Sequence, residues 1–261
     1  MILVFDIGNT ETTVGVFDGD ELRAHWRLTT AIERTPDELG LLLHELLRAG
    51  SLERSQITGA AIGSVVPSVT GPLVEALEQW LGVSARVIDA RAALPIVLQV
   101  DEPLTVGADR VLNTLAASRI YKVDTIVVDL GTATTYDCIT GDGVFLGGII
   151  APGLRTSADT LIRRTSKLPA TELVPPARAI GTRTEECIRA GVLFGAADAI
   201  DGLVRRIKAE WPTTRVPKVV ATGGLAPLVT SLCRGIDVVE PNLTLFGLQI
   251  AFAILERAPG A

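Results

Sequence analysis

A chain of 261 residues, 48% of them hydrophobic, is long enough to bury a substantial core as one large domain or two small ones. A net charge of −6 argues against general nucleic-acid binding through a basic field, and the doublets Arg163-Arg164 and Arg205-Arg206 read as solvated helix faces. Cys138, Cys187 and Cys233 lie too far apart for a disulfide framework or a zinc spacing and read as core thiols. No apolar stretch reaches transmembrane length without charges, and Asp6 interrupts the opening apolar run, so a cytoplasmic protein with no membrane partner is expected.

The chain opens MILVFDIGNTETTVGVFDGDEL. Ile2 to Phe5 read as a strand covered on both faces, Val14 to Phe17 as a second strand, and DGDE as the turn after it. Between the strands lie Asp6, Gly8, Asn9, Thr10, Thr12 and Thr13. The plain reading of this bend is a turn stapled by Asx and Ser/Thr hydrogen bonds. Its alternative is a cradle of backbone N–H groups and hydroxyls for an anion.

Thr35-Pro36-Asp37-Glu38 is a capping box with proline at the first helical position, and the helix stops near Gly50. GAAIGSVVPSV reads as a strand, a turn of small residues and a helix start. Gly71-Pro72 is expected to open a helix closed by Gly82. ADRVLNTLAASRIY is a third helix, with Asp109 at its start, where it serves equally as a cap or a dipole partner. A long helix follows Thr184, which could be its cap with Glu186 nearby, and ends before Pro212. His44 sits mid-helix and reads as a packing or surface residue.

Thr125 to Phe145, TIVVDLGTATTYDCITGDGVF, echo the opening: Asp129 falls on Asp6, Gly131 on Gly8 and Thr135 on Thr12. KVVATGGLAPLV likewise echoes GAAIGSVVPSV. Two pairs in the same order point to internal duplication, and strands interleaved with helices point to an α/β architecture. A carboxylate beside each turn makes sense if a cation sits between it and phosphate, because Mg²⁺ is held by one or two carboxylates plus phosphates and waters. Neither the P-loop motif nor the dinucleotide-binding glycine motif is present.

DIGNT, VGADR, VVDLGTATTYD, LGGIIAPGL, ATGGLA and LTLFGL together resemble type III pantothenate kinase, over nearly the whole chain. That resemblance implies two ribonuclease-H-like lobes with the active site in the cleft between them. The expected division is 1–115, with the phosphate-binding hairpin, and 116–261, with the cation site, the adenosine turn and a homodimer interface. It implies ATP-dependent phosphorylation of pantothenate, opening coenzyme A synthesis. Asp6, Ile7, Gly8, Asn9, Thr10, Glu11, Thr12 and Thr13 match the ATP phosphate-binding stretch, and Thr132 matches a further ATP contact. Asp109 matches the general base. Gly107, Ala108, Asp109 and Arg110 match the pantothenate segment, with Arg110 near the substrate carboxylate, and Thr184 matches another pantothenate contact. Val100 stands where many members carry a tyrosine of that pocket. Asp129 matches the residue that binds a monovalent cation, K⁺ or NH₄⁺, and Mg²⁺ accompanies ATP. The alternatives are a non-catalytic regulatory protein on the same fold and a related small-molecule kinase. A sugar kinase of the repressor/kinase group typically shows a clustered cysteine-histidine zinc motif, which this chain lacks.

Overall fold

The computed structural model describes residues 1–31 and 33–257. The chain forms two compact units. The first takes Met1–Ile96, Asp101–Ala116 and the C-terminal segment beginning at Leu243; the second takes Val97–Val100 and Ala117–Asn242. Residues 243 onward, which a division at residue 116 leaves in the second half, thus return to the first unit.

In the first unit, β1 (Ile2–Ile7), β2 (Glu11–Asp18) and β3 (Glu21–Thr29) form an antiparallel meander. Gly19, at φ 60°, makes the turn between β2 and β3. After α1 (Pro36–Ala49), β4 (Gly59–Ser64) adds parallel to β1 on its other side. α2 (Pro67–Ala76) then leads to β5 (Ala85–Ile88), parallel to β4, giving the order β3-β2-β1-β4-β5.

Strand alternation divides this sheet into two faces. Leu3, Phe5 and Ile7 of β1 pack with Val14 and Val16 of β2 against Leu39 and Leu43 of α1 and Leu73 of α2. Val4 and Phe17 point the opposite way. β6 (Val97–Leu98) belongs to the second unit, and the helix α3 (Ala108–Ile120) that follows lies in the first as far as Ala116. Leu112 and Leu115 of α3 cover Val4 and Phe17, together with Leu245 and Leu248 of the C-terminal helix. Each fully buried leucine contributes about 1.5–3 kcal/mol, so the two layers hold β1 from both sides.

The helix expected at Gly71-Pro72 starts at Pro67 instead, with Pro72 inside it. Pro67 is the proline whose fixed φ and missing N–H suit the first helical position. Beyond Ala76 the helix widens over Leu77–Leu81 and closes at Gly82, φ 69°. The capping box of Thr35 and Glu38 is present in both directions, and those bonds hold the Glu38 carboxyl below its usual range.

The second unit repeats the plan. β7 (Thr125–Leu130), β8 (Ala133–Ile139) and β9 (Val144–Pro152) form an antiparallel meander. Two helices, α4 (Leu154–Arg163) and α5 (Thr184–Glu210), precede β10 (Lys218–Thr222), which is parallel to β7. The short helix α6 (Ala226–Val229) leads to β11 (Val238–Val239). The order β11-β10-β7-β8-β9-β6 is that of the first sheet with β6 added beyond β9. Ile126, Val128 and Leu130 pack against Leu193, Ala197 and Ile200 of α5. The last helix, α7 (Leu243–Arg257), belongs to the first unit. The echo of GAAIGSVVPSV in KVVATGGLAPLV is the equivalence of β4 with β10.

Of the three thiols, Cys187 is exposed rather than buried, because the first turn of α5 faces solvent there; Cys138 and Cys233 are half-buried. Both arginine doublets and His44 are exposed. Among the described residues no helix is long and apolar enough to cross a membrane.

Candidate active site

The turn between β1 and β2 carries the residues singled out in the sequence. Asp6 is half-buried at the end of β1, Ile7 is buried, and Asn9, Thr10 and Glu11 are exposed. The Gly8 N–H donates to the Glu11 carbonyl at 3.0 Å, which closes the turn. Thr12 is buried, and Thr13 lies directly across the ladder from Asp6.

A residue absent from the sequence reading holds this turn in place. Thr30, just past β3, donates its hydroxyl to the Gly8 carbonyl at 2.7 Å. Its only hydroxyl proton is thereby used, so the 2.9 Å contact with Thr12 has the Thr12 hydroxyl donating to Thr30. The Thr30 N–H also donates to the Thr10 carbonyl at 2.9 Å. The carbonyls of Gly8 and Thr10 are thus engaged by Thr30, and a glycine turn of this kind is one that can present backbone N–H groups to an anion.

The first unit also carries the GADR segment. Gly107 precedes α3, and Asp109 is its second residue, half-buried. The Arg110 N–H donates to Asp109 Oδ1 at 2.8 Å. A Cβ on Gly107 would lie 2.5 Å from that same Oδ1, so only glycine leaves room for the carboxylate where it stands. The plainer reading of Asp109, a partner for the helix start, is therefore present in the geometry. It does not exclude a chemical role, since Oδ2 remains a second oxygen of the same group.

Local packing brings the two segments toward one another. The Val65 N–H, just after β4, donates to the Ile7 carbonyl at 3.1 Å, and Val65 Cγ1 lies 3.6 Å from where a Gly107 Cβ would be. α3 itself is seated by two glycines, Gly63 of β4 and Gly247 of α7, each pressed against Leu112 with no room for a side chain. A 3.0 Å bond from the Thr244 hydroxyl to Asn113 Oδ1 fixes the α7–α3 register.

In the second unit, Asp129 lies half-buried at the end of β7, across the ladder from Thr135. Gly223 of the ATGGLA turn, at φ 90°, packs on it: a Cβ there would meet Asp129 Oδ1 at 2.5 Å. Thr132 is exposed in the β7–β8 turn, and its carbonyl accepts from the Gly153 N–H at 3.2 Å and the Thr156 hydroxyl at 2.6 Å. Three stretches far apart in sequence, DLGTATTYD, GGIIAPG and ATGGLA, thus converge around one turn. Val100, just past β6, lies beside Gly147 of β9, 3.7 Å from where its Cβ would be. Thr184 stands exposed on another element, as the first residue of α5. It is not the cap of that helix. Arg183 fills that place without a side-chain capping bond, and Thr182 before it donates its N–H to Glu186 Oε2 at 2.9 Å.

The two hairpins differ in one respect. Asp6 pairs with Thr13, seven positions on, whereas Asp129 pairs with Thr135, six positions on. The spatial equivalent of Thr135 is therefore Thr13, not Thr12, and the first turn is one residue longer.

A pair of sheets of one strand order, each with a carboxylate at the end of its first strand beside a glycine turn, defines the two-lobed α/β fold of the acetate and sugar kinase/actin class. The structure of the activator of 2-hydroxyisocaproyl-CoA dehydratase from Clostridium difficile, with bound ADPNP, shares this fold at 14% identity and a TM-score of 0.58, over 100% of this chain and 98% of that one. Within the class, the family profile of type III pantothenate kinase matches residues 2–206. The type III pantothenate kinase of Thermomicrobium roseum is 41% identical over the full length of both chains. That of Roseiflexus castenholzii is 44% identical over 97% of this chain and 98% of its own. The chain belongs to the type III pantothenate kinase family.

Proposed function

We infer that this protein transfers the γ-phosphoryl group of ATP to the hydroxyl of pantothenate, giving 4′-phosphopantothenate at the entry to coenzyme A synthesis. Full-length membership of a family named for that activity carries this reading. The braced turn of Asp6–Thr13 supports it.

The first unit supplies the phosphate cradle and the acceptor chemistry. The Asp6–Thr13 stretch, with the backbone N–H groups of Asn9 and Thr10 and the hydroxyls of Thr10 and Thr13, binds ATP phosphates. Asp109 takes the proton of the pantothenate hydroxyl as its oxygen bonds to the γ-phosphorus and the bond to ADP breaks. Arg110 binds the substrate carboxylate, and Gly107 and Ala108 line the same segment. Thr132 matches an ATP contact of the family, and Thr184 and Val100 match pantothenate contacts. Valine in place of the family's tyrosine reshapes that part of the pocket and leaves the phosphoryl chemistry intact.

The donor set fits a divalent ion carried by the nucleotide. Among the described residues no group of three His, Cys, Asp or Glu could cage a metal. One carboxylate, Asp6, beside a phosphate cradle is what Mg²⁺ uses when phosphates and waters complete its shell. There the ion would offset phosphate charge. Asp129, a single carboxylate packed against the backbone of Gly223, suits a large monovalent cation, K⁺ or NH₄⁺, whose shell backbone oxygens can fill. The enzyme works as a cytoplasmic homodimer.

A coupled assay of ADP formation tests the reading: turnover requires both pantothenate and a divalent ion. Turnover with a sugar and none with pantothenate overturns it.

A further inference from the structure

The strand register lines up three side chains across the first sheet. Asp6 pairs with Thr13, and Thr13 pairs with Arg27 of β3. Residues directly opposite in a ladder share a face, so Asp6, Thr13 and Arg27 form one row, spaced about 5 Å per strand. Glu11, two residues from Thr13, is on the same face and nearer the turn.

Arg27 leans along this face toward the turn, its Nε 3.4 Å from Glu11 Oε1. Both side chains are about half exposed, at 56% and 45%. Ion pairs this exposed contribute little to stability, so holding the sheet together does not account for the pair. The charge around the turn is lopsided. Residues 6–20 contain no lysine or arginine but include Asp6 and Glu11. Arg27 is the basic side chain that the register places opposite Thr13, at the turn end of this stretch, and its guanidinium is held there by the Glu11 carboxylate.

We propose that Arg27 is a nucleotide-phosphate ligand held in reserve by Glu11. When the triphosphate enters, the guanidinium leaves the Glu11 carboxylate for phosphate oxygens, which match its planar fork better. Glu11 then acts as a placeholder that competes with ATP for the same cation. This proposal rests on reading Asp6–Thr13 as the phosphate-binding stretch.

Arg27→Gln and Glu11→Gln break the same ion pair, which makes them a discriminating test. A pair that only braces the sheet edge moves both variants alike. A phosphate ligand and its placeholder move them in opposite directions. Arg27→Gln is expected to raise the KM for ATP roughly tenfold, the loss of one charge-assisted contact, with the KM for pantothenate unchanged. Glu11→Gln is expected to lower the KM for ATP, and Arg27→Lys to fall between parent and Arg27→Gln. An unchanged KM for ATP in Arg27→Gln, or shifts of the same sign in both glutamine variants, overturns the proposal. The Kd for Mg-ATP, measured by equilibrium dialysis without pantothenate, separates the two readings. A chain that binds ATP in this Arg27-dependent way but does not phosphorylate pantothenate sinks only the function assigned above.

Discussion

The hydroxyl of Thr30 sits 2.7 Å from the carbonyl of Gly8, at the back of the turn proposed above to bind the nucleotide. Through Thr12 and the carbonyl of Thr10 the same residue ties down both ends of that turn. The shape of the proposed phosphate-binding turn thus depends on a side chain behind it.

Thr30→Val keeps the shape and removes the hydroxyl. Two bonds of about 1 kcal/mol each are lost, so Tm falls by roughly 5 °C and kcat/KM for ATP by about tenfold. Thr30→Ser restores most of both. A valine variant with parental ATP kinetics would show that the turn holds its own geometry.

Asp109 depends on the missing side chain of Gly107. Asp109→Asn keeps an oxygen for the Arg110 N–H and loses the base, so kcat drops about 10²–10⁴-fold with the fold intact. Gly107→Ala pushes the carboxylate aside and is expected to lower kcat nearly as far without changing any titratable group. Circular dichroism checks the fold of both. A Gly107→Ala enzyme with full kcat would mean that the carboxylate has freedom to move.

Asp129 is tested by changing the salt. Activity in KCl or NH₄Cl is expected to exceed that in NaCl at matched ionic strength, and Asp129→Asn is expected to abolish the difference. Equal rates in sodium and potassium for the parent enzyme would reduce Asp129 to a partner of its own turn.

The thiols should differ in reactivity. Burial, and to a lesser degree the charges of Asp201 and Asp198, push the Cys233 thiol up to about 12, so little of the reactive thiolate exists at neutral pH. Cys187 is exposed on the first turn of α5. Brief alkylation followed by peptide mapping is expected to label Cys187 before Cys233, and the reverse order would contradict the burial described for Cys233.

The duplication was legible because strand ends carry distinctive chemistry: acid, glycine and hydroxyls after an apolar run. The extra residue in the first turn was not, because identity alone aligns Thr12 with Thr135, and only the ladder pairs Thr13 with Asp6. GADR and DLGTATTYD were legible as motifs. Thr30 was not, since Thr29-Thr30 reads as an ordinary strand end until β3 is seen to finish beside the turn. Its signal was position: a hydroxyl residue where the third strand of a meander returns to the first turn. Pro72 misled because proline marks helix starts by its backbone alone, and Pro67 made the same claim five residues earlier.

The return of α7 to the first unit reverses the order in which the halves can be completed on the ribosome. Residues 117–242 are finished while the first unit still lacks the helix that covers Val4 and Phe17 and seats α3. The oldest part of the nascent chain therefore waits longest, with an apolar sheet face open to chaperones and proteases. With this helix in place that face is closed and α3 is seated, so a chain cut short before Leu243 keeps the first turn and its Thr30 brace and lacks the helix that seats the Asp109 segment.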